Sequence, residues 1–373
     1  MKVAVLGYGT IGSGVVEVLK NNAALISAQT GEDISVKYVL DLREFPGDPV
    51  EEILVHDFNT ILEDPEVELV VETMGGTGAA YKFVKAALEA GKHAATSNKA
   101  LVAKYGSELL DIAGKHGKNF QFEASVGGGI PIIRAMYTSM LGNNILSING
   151  ILNGTTNFML TKMDRENRDY DDVLKEAQAL GYAERDPSAD VEGFDTCRKI
   201  AILASIATGK FVDFEDVPTR GITDITKADM EAAKTLGYSI KLLGTFKKDG
   251  DKVYASVSPT LVDPSSALYP VSDVFNAVLV DGDMSSELMF YGSGAGKLPT
   301  ASAVVADVIE ITRNKNHTVY AGWGFDKQEL SDASAQEKRF FVRTQSDAFI
   351  TEKMTEKDVR ASYSDAAQII PVA

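Results

Sequence analysis

The segment 181–199, GYAERDPSADVEGFDTCRK, concentrates side chains able to do acid–base chemistry. Glu184, Asp186, Asp190, Glu192 and Asp195 lead into Arg198 and Lys199, and the apolar run IAILASIA follows. Carboxylates this dense repel one another unless water or a cation accepts them, which suits a site that grips an ammonium group. A lysine facing a poorly solvated site has its charged form disfavoured, so its amine can exchange a proton nearer neutral pH. Asp195 and Lys199 are four apart and share a face if the segment is helical. An exposed ion pair at that spacing is common and does no chemistry by itself, and an acidic loop alone reads as solvated surface. Asp186-Pro187 marks a turn that fixes the backbone and can aim Glu184 inward.

The second chemical signal lies at the N-terminus, VAVLGYGTIGSG. Gly7, Gly9 and Gly12 form G-x-G-x-x-G after a strand-like run and at the opening of a helix. The first glycine permits a tight turn, the second lets a pyrophosphate approach the backbone, and the third lets helix and strand pack closely. The helix N-terminus then offers free N–H groups to phosphate. Without that context the motif reads as a structural glycine turn. Asp41 ends the next strand-like run, later than the usual offset of about 20 residues; the stretch NNAALISAQTGED accounts for the delay. Asp41 would favour the free ribose hydroxyls of NAD, whereas Arg43 could hold the extra phosphate of NADP, so the choice stays open.

These residues need a scaffold. Strand-like runs at 3–7, 35–40, 67–73, 93–97 and 120–126 alternate with helical patterns at 11–20, 79–91 and 105–117. That alternation predicts a parallel sheet of the Rossmann type with helices on both faces. Near residue 127 the pattern changes. VGGGIP is a turn with Pro131 opening a helix. A strand-like run at 145–154 precedes helical patterns at 156–163, 170–181 and 195–208, and alternating runs follow at 253–262, 276–284 and 287–294. Helices followed by strands predict an α+β second domain with an antiparallel or mixed sheet. The expected division is 1–130 for dinucleotide binding, with a helix at 299–312 packing back on it, 131–298 for substrate binding and dimerisation, and 313–373 as a short extension.

The 373 residues suffice for two or three domains. Against 37 Lys and Arg stand 53 Asp and Glu, a formal charge of −16 that argues against nucleic-acid or acidic-membrane partners. The single Cys197 permits no intrachain disulfide and suits a cytoplasmic setting. No apolar run approaches bilayer length. The 4 histidines show no zinc-ligand spacing.

Taken in order, GYGTIGSG, SNKALVA (97–103), FEASVGGGIPII (122–133), GILNGTTNFML (150–160), the 177–199 segment and GSGAGKLPTASAVVAD (292–307) resemble the homoserine dehydrogenase family over nearly everything from 1 to about 312. The resemblance implies interconversion of L-homoserine and L-aspartate 4-semialdehyde with NAD or NADP, serving threonine, methionine and isoleucine synthesis. It implies Lys199 and Lys99 as catalytic groups, with Lys199 as general acid/base. It assigns Glu184, Asp190 and Asp195 to the substrate. Gly7, Gly9, Thr10, Ile11, Gly12, Thr73, Lys99 and Gly294 are assigned to the cofactor. Glu123, with the carbonyls of Val126, Gly128 and Ile130, is assigned to a monovalent cation, sodium. A homodimer through the strands around 145–154 and 276–292 is expected. Many bacterial members carry a regulatory ACT domain; residues 337–349 resemble its first strand, but the remaining chain is too short to complete one. Two other readings stand beside this one: another amino-acid dehydrogenase of the same layout, and a catalytically silent NAD(P)-sensing regulator.

Overall fold

The first strand, β1 (Lys2–Leu6), buries alternate residues on opposite faces: Val3 and Val5 in one apolar cluster, Ala4 and Leu6 in another. A strand covered on both faces needs helices on both sides, which is the condition for a parallel sheet. In the computed structural model, which describes residues 1–319 and 322–373, β1 joins β2 (Ser35–Leu40), β3 (Leu54–Val55), β4 (Val67–Glu72), β5 (His93–Thr96) and β6 (Phe120–Gln121). The spatial order is β3-β2-β1-β4-β5-β6, and each pairing is parallel. This is the doubly wound order of dinucleotide-binding sheets.

The chain divides into two compact units. The first comprises 1–141, 205–211 and 295–327. Helices Thr10–Asn21, Ala23–Thr30 and Lys297–Arg313 cover one face of its sheet through Leu19, Ile26, Val304 and Val308. Phe58–Leu62 and Gly78–Glu89 cover the other through Phe58, Ile61 and Ala87. The stretch NNAALISAQTGED therefore contributes a helix of its own.

Two expectations here are corrected. The strand expected at 120–126 ends at Gln121, and Glu123–Ser125 is a 3-10 turn. The cause is local: the Glu123 N–H donates to Asp307 Oδ2 at 2.8 Å, and its carboxylate turns back to cap the Ile133 and Arg134 amides. The helix expected from 105 starts at Lys99, because Asn98 caps it by accepting the Leu101 N–H at 3.1 Å.

The second unit comprises 142–204, 212–294 and 328–373. Its main sheet has β7 (Ile145–Ile151), β8 (Ser239–Asp249), β9 (Lys252–Val262), β10 (Phe275–Gly282) and β11 (Ser286–Ser293) in the order β11-β10-β7-β8-β9. Every pair is antiparallel, so the mixed alternative falls away. The tail builds a small antiparallel sheet from β12 (Phe340–Arg343), β13 (Ala348–Ile350) and β14 (Gln368–Pro371), with helix Glu356–Ser362. Phe340, Val342, Val359 and Ile369 form its core. It is stitched to β9, where the Ala373 N–H donates to the Leu261 carbonyl at 2.9 Å.

Candidate active site

Helix Phe194–Thr208 carries Asp195 and Lys199 one turn apart, and both are buried. The Lys199 ammonium donates to Asp195 Oδ2 at 2.6 Å and to the Leu152 carbonyl at 2.7 Å. Asn153, two residues after the end of β7, completes the cluster. Its Nδ2 donates to Asp190 Oδ1 at 2.7 Å and to Asp195 Oδ2 at 2.9 Å. Its Oδ1 accepts the Thr156 N–H at 2.9 Å and so caps helix Gly154–Glu166. One amide thus starts a helix and fixes two carboxylates. Burying two charges in contact costs desolvation that only good geometry and further hydrogen bonds offset. Asn153 and the Leu152 carbonyl supply those bonds. Sequence reasoning did not single out Asn153; the signal available was an asparagine before a helical run.

The structure brings Asp190, Asp195 and Lys199 together around Asn153. It does not bring Glu184 into that network. Glu184 is exposed on the loop before helix Ser188–Val191, and among the described residues only its main-chain carbonyl is engaged, by Gln178 at 3.1 Å.

In the first unit, Gly7 takes φ +92° and donates its N–H to the Leu40 carbonyl at 2.7 Å. A Cβ on Gly12 would collide with the Gly7 carbonyl and lie 2.8 Å from Thr73 Oγ1, whereas one on Gly9 would meet nothing within 4 Å. The loop is closed where the backbone doubles back and open where a pyrophosphate would lie. Helix Thr10–Asn21 has no side-chain cap, so the amides around Thr10 and Ile11 are available to an anion. Thr73 Oγ1 braces the loop by donating to the Leu6 and Gly7 carbonyls at 3.1 and 3.0 Å. Beside it lies a cavity of about 490 Å³ walled by Leu40, Phe58, Met74 and Phe83. Asp41, Arg43 and His56 also line it. Asp41 accepts the Tyr8 N–H at 2.8 Å and Arg43 Nη2 at 2.8 Å on Oδ2, and Arg43 N and Nε at 3.0 and 2.9 Å on Oδ1. The guanidinium holds the Asp41 carboxyl well below the usual carboxylate range.

Lys99 is the first residue of its helix, behind a turn tied down by Glu72. Fully buried Glu72 accepts the Met74 and Gly75 N–H groups at 2.7 and 3.1 Å and the Thr96 hydroxyl at 2.6 Å. Burial raises its pKa. Sequence reasoning missed it because a glutamate ending an apolar strand carries no motif. Gly294, in the second unit, has no room for a Cβ beside fully buried Asn276.

Glu123 is buried, which pushes its carboxyl up to about 7 even though Oε1 and Oε2 accept the Ile133 and Arg134 N–H groups at 2.9 and 2.7 Å. Arg134 turns to Asp307 at 2.6 Å. The Ile130 carbonyl accepts the Ile132 N–H at 2.9 Å. Among the described residues, the buried Val126 and Gly128 carbonyls accept no hydrogen bond. No group of three or more His, Cys, Asp or Glu side chains able to hold a metal occurs among the described residues.

A doubly wound sheet with a glycine loop, together with a buried lysine–carboxylate cluster in an antiparallel unit, defines a nicotinamide-dependent oxidoreductase. Family models described as "Homoserine dehydrogenase, NAD binding domain" and "Homoserine dehydrogenase" match residues 7–123 and 131–309. The Bacillus subtilis homoserine dehydrogenase is 42% identical over 347 residues, 91% of this chain and 80% of that one. The Neisseria gonorrhoeae enzyme is 45% identical over 315 residues, covering 84% and 72%. Among solved structures, a homoserine dehydrogenase from Thiobacillus denitrificans superposes with a TM-score of 0.92 at 34% identity, covering 100% of this chain and 98% of that one. A hyperthermophilic archaeal homoserine dehydrogenase in complex with NADPH gives 0.70 at 26% identity, covering 83% and 97%. The chain belongs to the homoserine dehydrogenase family.

Proposed function

We propose that this protein interconverts L-homoserine and L-aspartate 4-semialdehyde by hydride transfer to or from NAD(P), in threonine, methionine and isoleucine synthesis. The observation that carries the reading is the buried Lys199–Asp195 pair held by Asn153 and the Leu152 carbonyl, in a chain of this family. In the reductive direction the Lys199 ammonium donates a proton to the developing alkoxide; in the oxidative direction the amine removes the hydroxyl proton. The nicotinamide supplies or accepts the hydride. Asp195 holds the lysine, Glu184, Asp190 and Asp195 bind the substrate, and Lys99 is a second catalytic group. Absorbance of reduced cofactor after mixing protein, NAD(P)+ and L-homoserine tests this directly. Cofactor binding without any turnover would instead favour a silent sensor.

Glu184 reaches the substrate only if its exposed loop folds over the ammonium group. Glu184→Ala then raises KM for homoserine about tenfold and changes kcat much less, as expected for lost ground-state binding. An unchanged KM removes Glu184 from the site.

The loop around Gly7, Gly9, Thr10, Ile11 and Gly12, with Thr73, holds the pyrophosphate, and Gly294 lets the chain pass close to the cofactor. The exposed Arg43 releases Asp41 to take the ribose hydroxyls of NAD, or swings to the 2′-phosphate of NADP, so the choice between the two turns on this residue. Arg43→Ala lowers kcat/KM with NADP about tenfold and with NAD less than about threefold. An unaltered ratio would show that Arg43 reads neither.

Glu123 and the unengaged carbonyls of Val126 and Gly128, with Ile130, form a site for a monovalent cation such as sodium, a hard ion that takes oxygen ligands. Thermal unfolding in sodium chloride and in choline chloride at equal ionic strength should differ, with the higher midpoint in sodium. Identical midpoints would refute the site.

Leu288, Met289 and Tyr291 of edge strand β11 are exposed. An exposed apolar edge is a pairing surface, so a homodimer through β11 is proposed, to be checked by light-scattering mass. No helix among the described residues is long and apolar enough to cross a membrane. A cytoplasmic setting, supported by the single buried thiol of Cys197, is testable by fractionation.

A further inference from the structure

Glu72 closes β4 at the carboxyl edge of the first unit's sheet, in register with Leu6 of β1 on one side and Thr96 of β5 on the other. In a doubly wound sheet that edge is where a dinucleotide lies. Leu6 leads straight into the glycine loop, and Thr96 stands three residues before Lys99. Glu72 is fully buried, and a buried charge persists only where donors converge on it. Its Oε1 accepts two successive main-chain amides, Met74 at 2.7 Å and Gly75 at 3.1 Å, and its Oε2 accepts the Thr96 hydroxyl at 2.6 Å. These donors, with the Asn98 side chain, favour the charged form that burial opposes.

The hydrogen bonds run on from there and close a ring. Thr96 Oγ1 accepts the Asn98 N–H at 2.9 Å. Asn98 Nδ2 donates to the Gly76 carbonyl at 2.6 Å, back on the turn that Glu72 holds, and Asn98 Oδ1 accepts the Leu101 N–H at 3.1 Å to start helix Lys99–Lys115. The turn itself is left-handed at two residues in a row, Gly75 at φ +78° and Gly76 at φ +67°. Met74, whose amide Glu72 fixes, also walls the cavity beside the glycine loop. One carboxylate therefore sets both a wall of the cofactor cavity and the first residue of the lysine's helix. The direction of the relay requires a carboxylate. A threonine hydroxyl has one proton, and giving it to Glu72 leaves its lone pairs for the Asn98 N–H. Glutamine would present an N–H to that hydroxyl, whose own proton would then lose its acceptor.

We propose that Glu72 is a positioning residue for hydride transfer, which acts through Thr96 and Asn98 to place Lys99 against the cofactor. The claim rests on the homoserine reading above, in which Lys99 is a catalytic group. The test compares Glu72→Gln, Thr96→Val, Thr96→Ser, Lys99→Met and the Glu72→Gln/Lys99→Met double variant in the full chain, each shown to be folded by circular dichroism. Glu72→Gln and Thr96→Val should each lower kcat at least about tenfold, the scale of a small misplacement of a reacting group. Their Kd for NADPH should stay within about threefold of the wild type, because the glycine loop is untouched. Thr96→Ser, which keeps the hydroxyl, should restore most of the kcat lost in Thr96→Val. In the Lys99→Met background Glu72→Gln should lower kcat less than about twofold further, since a group that acts through the lysine has nothing left to place. The proposal is overturned by a full loss in that background, by a kcat that stays unchanged in Glu72→Gln and Thr96→Val, or by a Thr96→Ser variant as impaired as Thr96→Val. A wild type that binds NADPH and does not turn over homoserine would defeat the homoserine reading, and the positioning of Lys99 would then be decided without turnover. Amide hydrogen exchange over 97–103 should quicken in Glu72→Gln and Thr96→Val relative to 105–115, and unchanged exchange there overturns the positioning as well.

Discussion

Lys199→Met abolishes nearly all turnover while leaving cofactor affinity within about twofold: a fall in kcat of about 10³, inside the range that a positioned acid–base group supplies. Methionine keeps the volume and removes the proton. It also takes from Asp195 the ammonium now 2.6 Å away, so a buried carboxylate loses its lysine while keeping the Asn153 amide at 2.9 Å. A stability loss is therefore expected alongside the catalytic one. The two are separated by working well below the variant's unfolding midpoint, with circular dichroism and cofactor titration run on the same sample. If the folded, cofactor-bound variant turned over within tenfold of the wild type, the general acid/base would have to be another group.

The second large effect is expected at Gly12. Ala at this position drives a methyl group into the Gly7 carbonyl and against Thr73 Oγ1. The loop cannot yield cheaply, because Gly7 is tied to Leu40 through its N–H and braced by Thr73 through its carbonyl. Cofactor affinity should fall more than about a hundredfold, with a loss of stability of about 1–3 kcal/mol from overpacking. Fluorescence titration with NADPH measures the first and denaturant unfolding the second. Gly9→Ala is the internal comparison. Its methyl meets nothing in the protein, so folding should survive while the methyl stands where the pyrophosphate must approach. Normal NADPH binding by Gly12→Ala would mean the loop is not the phosphate cradle.

Both effects involve residues that were legible in the sequence, and for local reasons. The demand for glycine at position 12 arises within one strand–turn–helix unit, and the face shared by Asp195 and Lys199 follows from helical spacing alone. Asn153 was not legible in the same way. Its importance depends on β7 ending beside residues 190 and 195, which are distant in sequence. Strand β8 escaped notice because buried Lys241 and Gly244 break its apolar alternation; the lysine donates to the Val271 carbonyl. The strand at 120–126 was overextended because two side chains, Glu123 and Asp307, pull the backbone out of the ladder. The glycine loop and the helical pair were readable from local chemistry, whereas features set by long-range partners were not.

Asn153 is followed by Gly154, and asparagine before glycine is the dipeptide most prone to lose ammonia through a cyclic imide. That ring closes only if the side chain folds back onto the next residue's backbone nitrogen. Here the amide is held on both ends, to Thr156 on one side and to Asp190 and Asp195 on the other, and Gly154 is already committed to the helix. The native packing therefore guards against a chemical ageing reaction that would exchange a donor for a third negative charge beside Asp190 and Asp195. Once the chain unfolds that guard is gone, and a molecule aged in that state could no longer rebuild the cluster it had lost.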